Sequence, residues 1–158
     1  MILASPIRRL LGRRSVIVAS ASVPFSPDPL GPLAAALADA LGRDRRRVAR
    51  VDLPVSDRPE DADDQRAAIE ALDLRDSCAT LLCLGHPAFL LSHANKRVWL
   101  ADALPPLGPA ELSALRSATQ LFTGTASLAT ALGREYGLEA AALDPETAPE
   151  EAARRLTA

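Results

Sequence analysis

Apolar and polar positions along this chain follow two rhythms in turn. Short β-branched or apolar runs alternate with stretches in which leucines recur every three or four residues. Residues 15–20 read as a buried strand, and Leu30, Leu33, Leu37 and Leu41 then recur at helical spacing, with Gly42 as the expected stop. The run 47–53 sets Val48, Val51 and Leu53 among charged residues, and Pro54 ends it. Asp57 and Glu60 have capping-box spacing ahead of a helix through Ala68, Ile69 and Leu72. Residues 79–84 are apolar throughout, as a central parallel strand covered on both faces would be. A fourth strand is expected over 97–101. Gly108, Pro109 and Glu111 then open a helix, with proline in the first turn and the carboxylate favourably placed against the dipole. A fifth strand over 119–123 turns at Gly124, and the stripe Leu128, Leu132, Tyr136 is closed by Gly137. Residues 138–143 make a sixth strand, and a second capping box from Thr147 to Glu150 starts a last helix.

Strands alternating with helices imply βαβ crossovers. The fold class expected is therefore α/β: a single Rossmann-like doubly wound domain over residues 1–158, with a mostly parallel six-stranded sheet and helices on both faces. Its length suits one domain. Residues 1–14 form a basic N-terminal segment, and the proline-rich stretch 24–32 reads as a loop rather than a boundary. Ligands of open α/β sheets sit outside the carboxyl ends of the strands. Loops 22–31, 85–96, 102–108 and 124–127 are thus expected along one edge, with His93 and Asn95 bordering a cleft that faces residues 24–28.

Composition narrows the function. Net charge is −2 and aromatic residues make up 3%, which argues against a nucleic-acid binder relying on phosphate contacts and base stacking. The charge is unevenly spread. Residues 1–50 carry net +6 and residues 51–79 net −6, a hint of a surface with a preferred partner. Two cysteines, Cys78 and Cys83, supply neither a disulfide framework nor a zinc quartet, and read as core residues of a cytoplasmic protein. No apolar run approaches the ~20 residues of a bilayer span. The basic start followed by residues 15–22 imitates a signal peptide, but serines interrupt the apolar run and it makes a better first strand. Dinucleotide, P-loop and nucleophile-elbow glycine motifs are all missing, so no cofactor and no metal are expected.

The most distinctive stretch, residues 84–100, holds both histidines (His86 and His93), Asn95 and the only lysine, Lys96, and runs into Trp99. It resembles the N-terminal, acceptor-side domain of family 4 glycosyltransferases of the GT-B fold, in which a Pro-aromatic segment leads to a His-x-Asn-Lys step and a Trp-containing strand. Segments 21–25, 51–55, 126–137 and 142–145 are similar to the same family in the same order, so the resemblance covers nearly the whole chain.

The resemblance implies glycosyl transfer from a nucleotide sugar, with the donor held by a second domain that this sequence does not contain. Two roles follow for this chain: half of a split enzyme whose donor-binding domain is a separate chain, or a non-catalytic remnant. His93 would be the candidate base, with His86, Asn95 and Lys96 at the acceptor. Read from the residues alone, His93 could equally be satisfied by its loop, Asn95 could cap a turn and Trp99 could be core. In the loop expected near the donor phosphates, Pro27 and Pro29 lack N–H donors and Asp28 would repel a diphosphate. The alternative is a non-enzymatic module in which Arg43, Arg45, Arg46, Arg47 and Arg50 meet a protein partner, a further copy in a homo-oligomer, or an anionic membrane surface.

Overall fold

The computed structural model describes residues 15–22, 31–54, 62–72, 74, 79–85, 88–100 and 107–158. Six strands form one sheet: β1 (Ser15–Ser22), β2 (Arg47–Pro54), β3 (Thr80–Leu84), β4 (Lys96–Leu100), β5 (Gln120–Thr123) and β6 (Ala141–Ala142). Their order is β2-β1-β3-β4-β5-β6, and every pair is parallel. The connections carry helices α1 (Gly31–Arg43), α2 (Ala62–Glu70), α3 (Pro109–Arg116) and α4 (Ala126–Tyr136), and a 3-10 turn (Ala88–Leu90) lies between β3 and β4. Helix α5 (Pro149–Thr157) follows β6. The expected Rossmann-like α/β domain is the one observed.

The chain steps from β1 outward to β2, then reverses and crosses back to β3. Crossovers of constant right hand put the first helix on one face and the following ones on the other. The core divides in that way. Val16, Val18, Leu82, Leu84, Trp99 and Phe122 meet Leu37 and Leu41 of α1 and Ala152 and Leu156 of α5. On the other face Ile17, Leu81, Cys83, Val98 and Leu121 meet Ile69 of α2, Phe89 of the 3-10 turn, Leu115 of α3 and Leu132 of α4. All five residues of β3 are buried, as a strand covered on both faces requires.

Three local expectations need correction. Gly42 does not stop α1. The helix continues to Arg43, and Arg45 adopts the left-handed conformation (φ 58°) instead. The Arg46 N–H then donates to the Leu41 carbonyl and the Arg45 N–H to that of Gly42, a Schellman closure with arginine where glycine is usual. The sixth strand shrinks from 138–143 to Ala141–Ala142, because Leu138 is consumed in closing α4, its N–H donating to the Leu132 carbonyl. The capping box at Thr147 does not form. Ala148 is the N-cap of α5, without a side-chain bond, and Pro149 supplies the first turn. The other capping box, from Asp57 to Glu60, lies outside the described residues, as does Cys78.

Candidate functional site

The reversal in strand order falls between β1 and β3, where Ser20 lies in register with Leu84. The crevice outside the carboxyl ends of these two strands is the place where open α/β sheets bind ligands. Ser22 and Gly85 are the described exits there. Gly85 has φ 74°, and its N–H donates to the Trp99 carbonyl at 2.9 Å, so the chain leaves β3 by a turn that glycine adopts without strain. Further along the same edge Gly124 donates to the Leu100 carbonyl at 2.8 Å. The Thr123 hydroxyl donates to the Thr125 carbonyl at 2.7 Å. Thr125 caps α4, its hydroxyl accepting from the Leu128 N–H at 3.2 Å, and Thr125 and Ser127 are exposed. Glu111, in the first turn of α3, takes Arg66 of α2 at 2.6 Å and ties two connections together near this edge. Its carboxyl is held below the ordinary glutamate range first by a hydrogen bond from its own backbone N–H, with Arg66 adding to that and partial burial opposing it. The sequence singled out Glu111 only as a helix opener, because its partner stands 45 positions away.

The residues expected to carry chemistry are elsewhere. The Asn95 side-chain amide donates to the Thr80 hydroxyl at 3.1 Å, and the Asn95 carbonyl accepts from the Leu81 N–H at 2.9 Å. Thr80 opens β3, so Asn95 sits at the amino edge of the sheet. At about 3.3 Å per residue, the five residues of β3 put it roughly 16 Å from the carboxyl edge. The expectation that His93 and Asn95 share an edge with the β1 exit is therefore corrected. A connection between parallel strands starts at one edge and must end at the other, so residues 85–96 cannot lie along one edge. His93 accepts the Asn95 N–H on Nδ1 at 3.2 Å. The ring lone pair that a general base would use is thus engaged in shaping the turn into β4.

Lys96 is buried, 1% exposed, among the residues that line the α2–α4 face. Its Nζ donates to the Phe89 carbonyl at 3.0 Å and braces the 3-10 turn from inside. Burial lowers its pKa, while the neighbouring Cys83 acts in the opposite sense. An ammonium held there is not at the surface to meet an anionic acceptor. Burial likewise pushes the Cys83 thiol up to about 12, which leaves it inert as a nucleophile. Trp99 is core. It is fully buried, and its indole N–H donates to the Leu143 carbonyl at 3.0 Å. His86 and the loop residues 24–28 lie outside the described residues.

The basic cluster is at the amino edge, where α1 turns into β2. Arg43 pairs with Glu150 at 3.1 Å and Arg46 with Asp44 at 3.4 Å. Arg45 and Arg47 are exposed and have no ion pair among the described residues, while Arg50 lies further along β2. A hollow of about 410 Å³ also opens at the amino edge, between Arg116, Gln120, Gly137 and Glu139, and one of about 320 Å³ separates α1 from α5. Among the described residues no group of three metal-ligating side chains occurs, and no helix is long and apolar enough to cross a membrane.

Sheet order and crossovers define the class of this protein: a Rossmann-like α/β domain with its topological switch between β1 and β3. Comparison with protein-family models, with curated proteins and with solved structures gives no match.

Proposed function

We propose that these 158 residues are a glycosyltransferase acceptor-side domain that does not turn over substrate by itself, the nucleotide-sugar donor being held by groups outside them. The observation that carries the reading is the order in which the glycosyltransferase-like segments fall on the fold. The His-x-Asn-Lys step leads into β4, Trp99 lies within β4, segment 126–137 coincides with α4 and its cap, and segment 142–145 follows at the end of β6. In this reading the sugar acceptor lies at the carboxyl edge, near Gly85 and Thr125. His93, Asn95 and Lys96 are scaffold for the β3–β4 connection, and His93 is not retained as the base.

Amide-shift mapping tests this directly. Millimolar glucose, galactose, mannose and N-acetylglucosamine are titrated in turn, followed by uridine diphosphate glucose. At least one sugar is expected to move the amides of Gly85, Gly124 and Thr125 while Asn95 stays in place, and the nucleotide sugar is expected to move none. Shifts centred on Asn95, silence with every sugar, or micromolar saturation by the nucleotide sugar would each overturn the proposal.

Arg45 and Arg47, exposed and without an ion pair among the described residues, favour a second reading, a module that docks on anionic surfaces. In that case replacing Arg45, Arg46 and Arg47 by alanine should weaken sedimentation with phosphatidylserine vesicles and flatten its salt dependence. An unchanged salt response would return the cluster to ordinary solvated surface.

A further inference from the structure

The hollow of about 410 Å³ at the amino edge has a structural cause. β5 begins at Gln120, but its pairing with β6 begins only at Phe122 with Ala141. Continued in register, Gln120 and Leu121 would stand opposite Glu139 and Ala140. Instead these four residues line the hollow, because Leu138 is drawn back to close α4 and the chain joins β5 two residues late. The hollow is the gap between two strands that part at their amino ends.

Its walls differ in charge. Arg116, in the last turn of α3, borders it on one side, and Glu139, between α4 and β6, on the other. Both are exposed, and neither has an ion pair among the described residues, with the other or with a third group. Glu139 also stands two residues beyond Gly137, the cap of α4, where the carbonyl end of a helix carries partial negative charge. An incoming cation would relieve both. Leu115, Leu121 and Leu138, buried residues of the α2–α4 face, supply the apolar part of the lining.

A cation to hold a carboxylate, an anion to hold an ammonium and an apolar surface beside them match one ligand class. We infer that the hollow binds a free α-amino acid with an apolar side chain. Its carboxylate meets the Arg116 guanidinium, its ammonium meets the Glu139 carboxylate, and its side chain meets the three leucines. Arginine suits the first contact, because its planar fork can hold a carboxylate through two parallel hydrogen bonds. The volume lies near the lower end of the about 300–1,000 Å³ usual for small-molecule sites, which suits a ligand of this size. Exposed ion pairs contribute little each, so binding is expected in the millimolar range. The site is at the amino edge and does not rest on the glycosyltransferase reading, which its failure would leave standing.

Amide-shift titration with L-leucine tests this, beside leucinamide, which lacks the carboxylate, and isocaproate, which lacks the ammonium. Leucine is expected to give saturable shifts at Leu121, Glu139 and Ala140, with Gly85 and Thr125 unmoved. Each analogue should bind about fivefold more weakly, the effect of losing one exposed ion pair. Arg116→Gln should bind leucine and leucinamide alike, and Glu139→Gln should bind leucine and isocaproate alike. Absence of saturable shifts at these amides, equal binding of all three compounds by the unaltered chain, or a variant that still discriminates would each overturn the proposal. Should a variant fail to fold, the three compounds on the unaltered chain decide alone.

Discussion

Two residues hold conformations or environments that their chemistry disfavours. Arg45 takes φ 58°, where a side chain with a Cβ costs about 1–2 kcal/mol relative to the right-handed region. Arg45→Gly should therefore raise stability by about 1 kcal/mol in urea unfolding, the gain from relieved strain being partly offset by the freer unfolded chain. A loss of stability would mean that the arginine side chain makes a compensating contact. Gly137 holds the same conformation at the end of α4, φ 66°, with the residue suited to it, so Gly137→Ala should cost about 1 kcal/mol. Lys96 is the second case. Its pKa is lower folded than unfolded, so the unfolded chain binds more protons between the two values. Stability should rise with pH across that interval, which ends near 10.4, the ordinary lysine value. Cys83, raised to about 12, works the other way above about 9. Lys96→Met removes the charge at nearly constant volume and takes away the Nζ donation to the Phe89 carbonyl. The unfolding free energy from denaturant titration should change by about 1–2 kcal/mol at neutral pH, and the rise toward alkaline pH should vanish. A variant that keeps the rise would assign it to another group.

At the scale of elements, what the sequence revealed depended on how local the cause was. β1 and β3 are legible because burial on both faces writes a short apolar run into each, Val16 to Ala19 and Leu81 to Leu84, and α4 because Thr125 and Gly137 cap it from within their own segment. The end of α1 was misplaced because glycine is only the usual choice for a left-handed cap, and here the chain closes three residues later on arginine. The β6 run was read too long because apolar residues that close a preceding helix look like strand residues. The edge of the candidate site is not legible for a topological reason: a stretch between parallel strands reads as one loop in the sequence, although its ends belong to opposite edges. α5 has a long-range tether that no local pattern announces. Arg97 of β4 donates to the carbonyl oxygens of Leu156 at 2.9 Å and Ala158 at 2.6 Å. Arg97→Met should cost about 1–3 kcal/mol and speed amide exchange in α5 more than in α4. Equal acceleration in both helices would show that the tether is not specific to α5.

At the scale of the whole molecule, β1 and β3 form the axis of the sheet, each paired on both sides, while β6 hangs from β5 by two residues. Amide exchange should follow that gradient. Val18 and Leu82 are expected to exchange only through global opening, and Ala142 through local fraying with far less protection. Uniform protection across the sheet would contradict this. The buried lysine has a further consequence at this scale. Within these 158 residues the only ε-amine is inside the fold, so the folded surface offers no lysine side chain to an acylating reagent or enzyme. Any chemistry that marks proteins through surface lysines would find its substrate here only after the 3-10 turn over Lys96 has opened, and the extent of marking would become a record of how often that turn lets go.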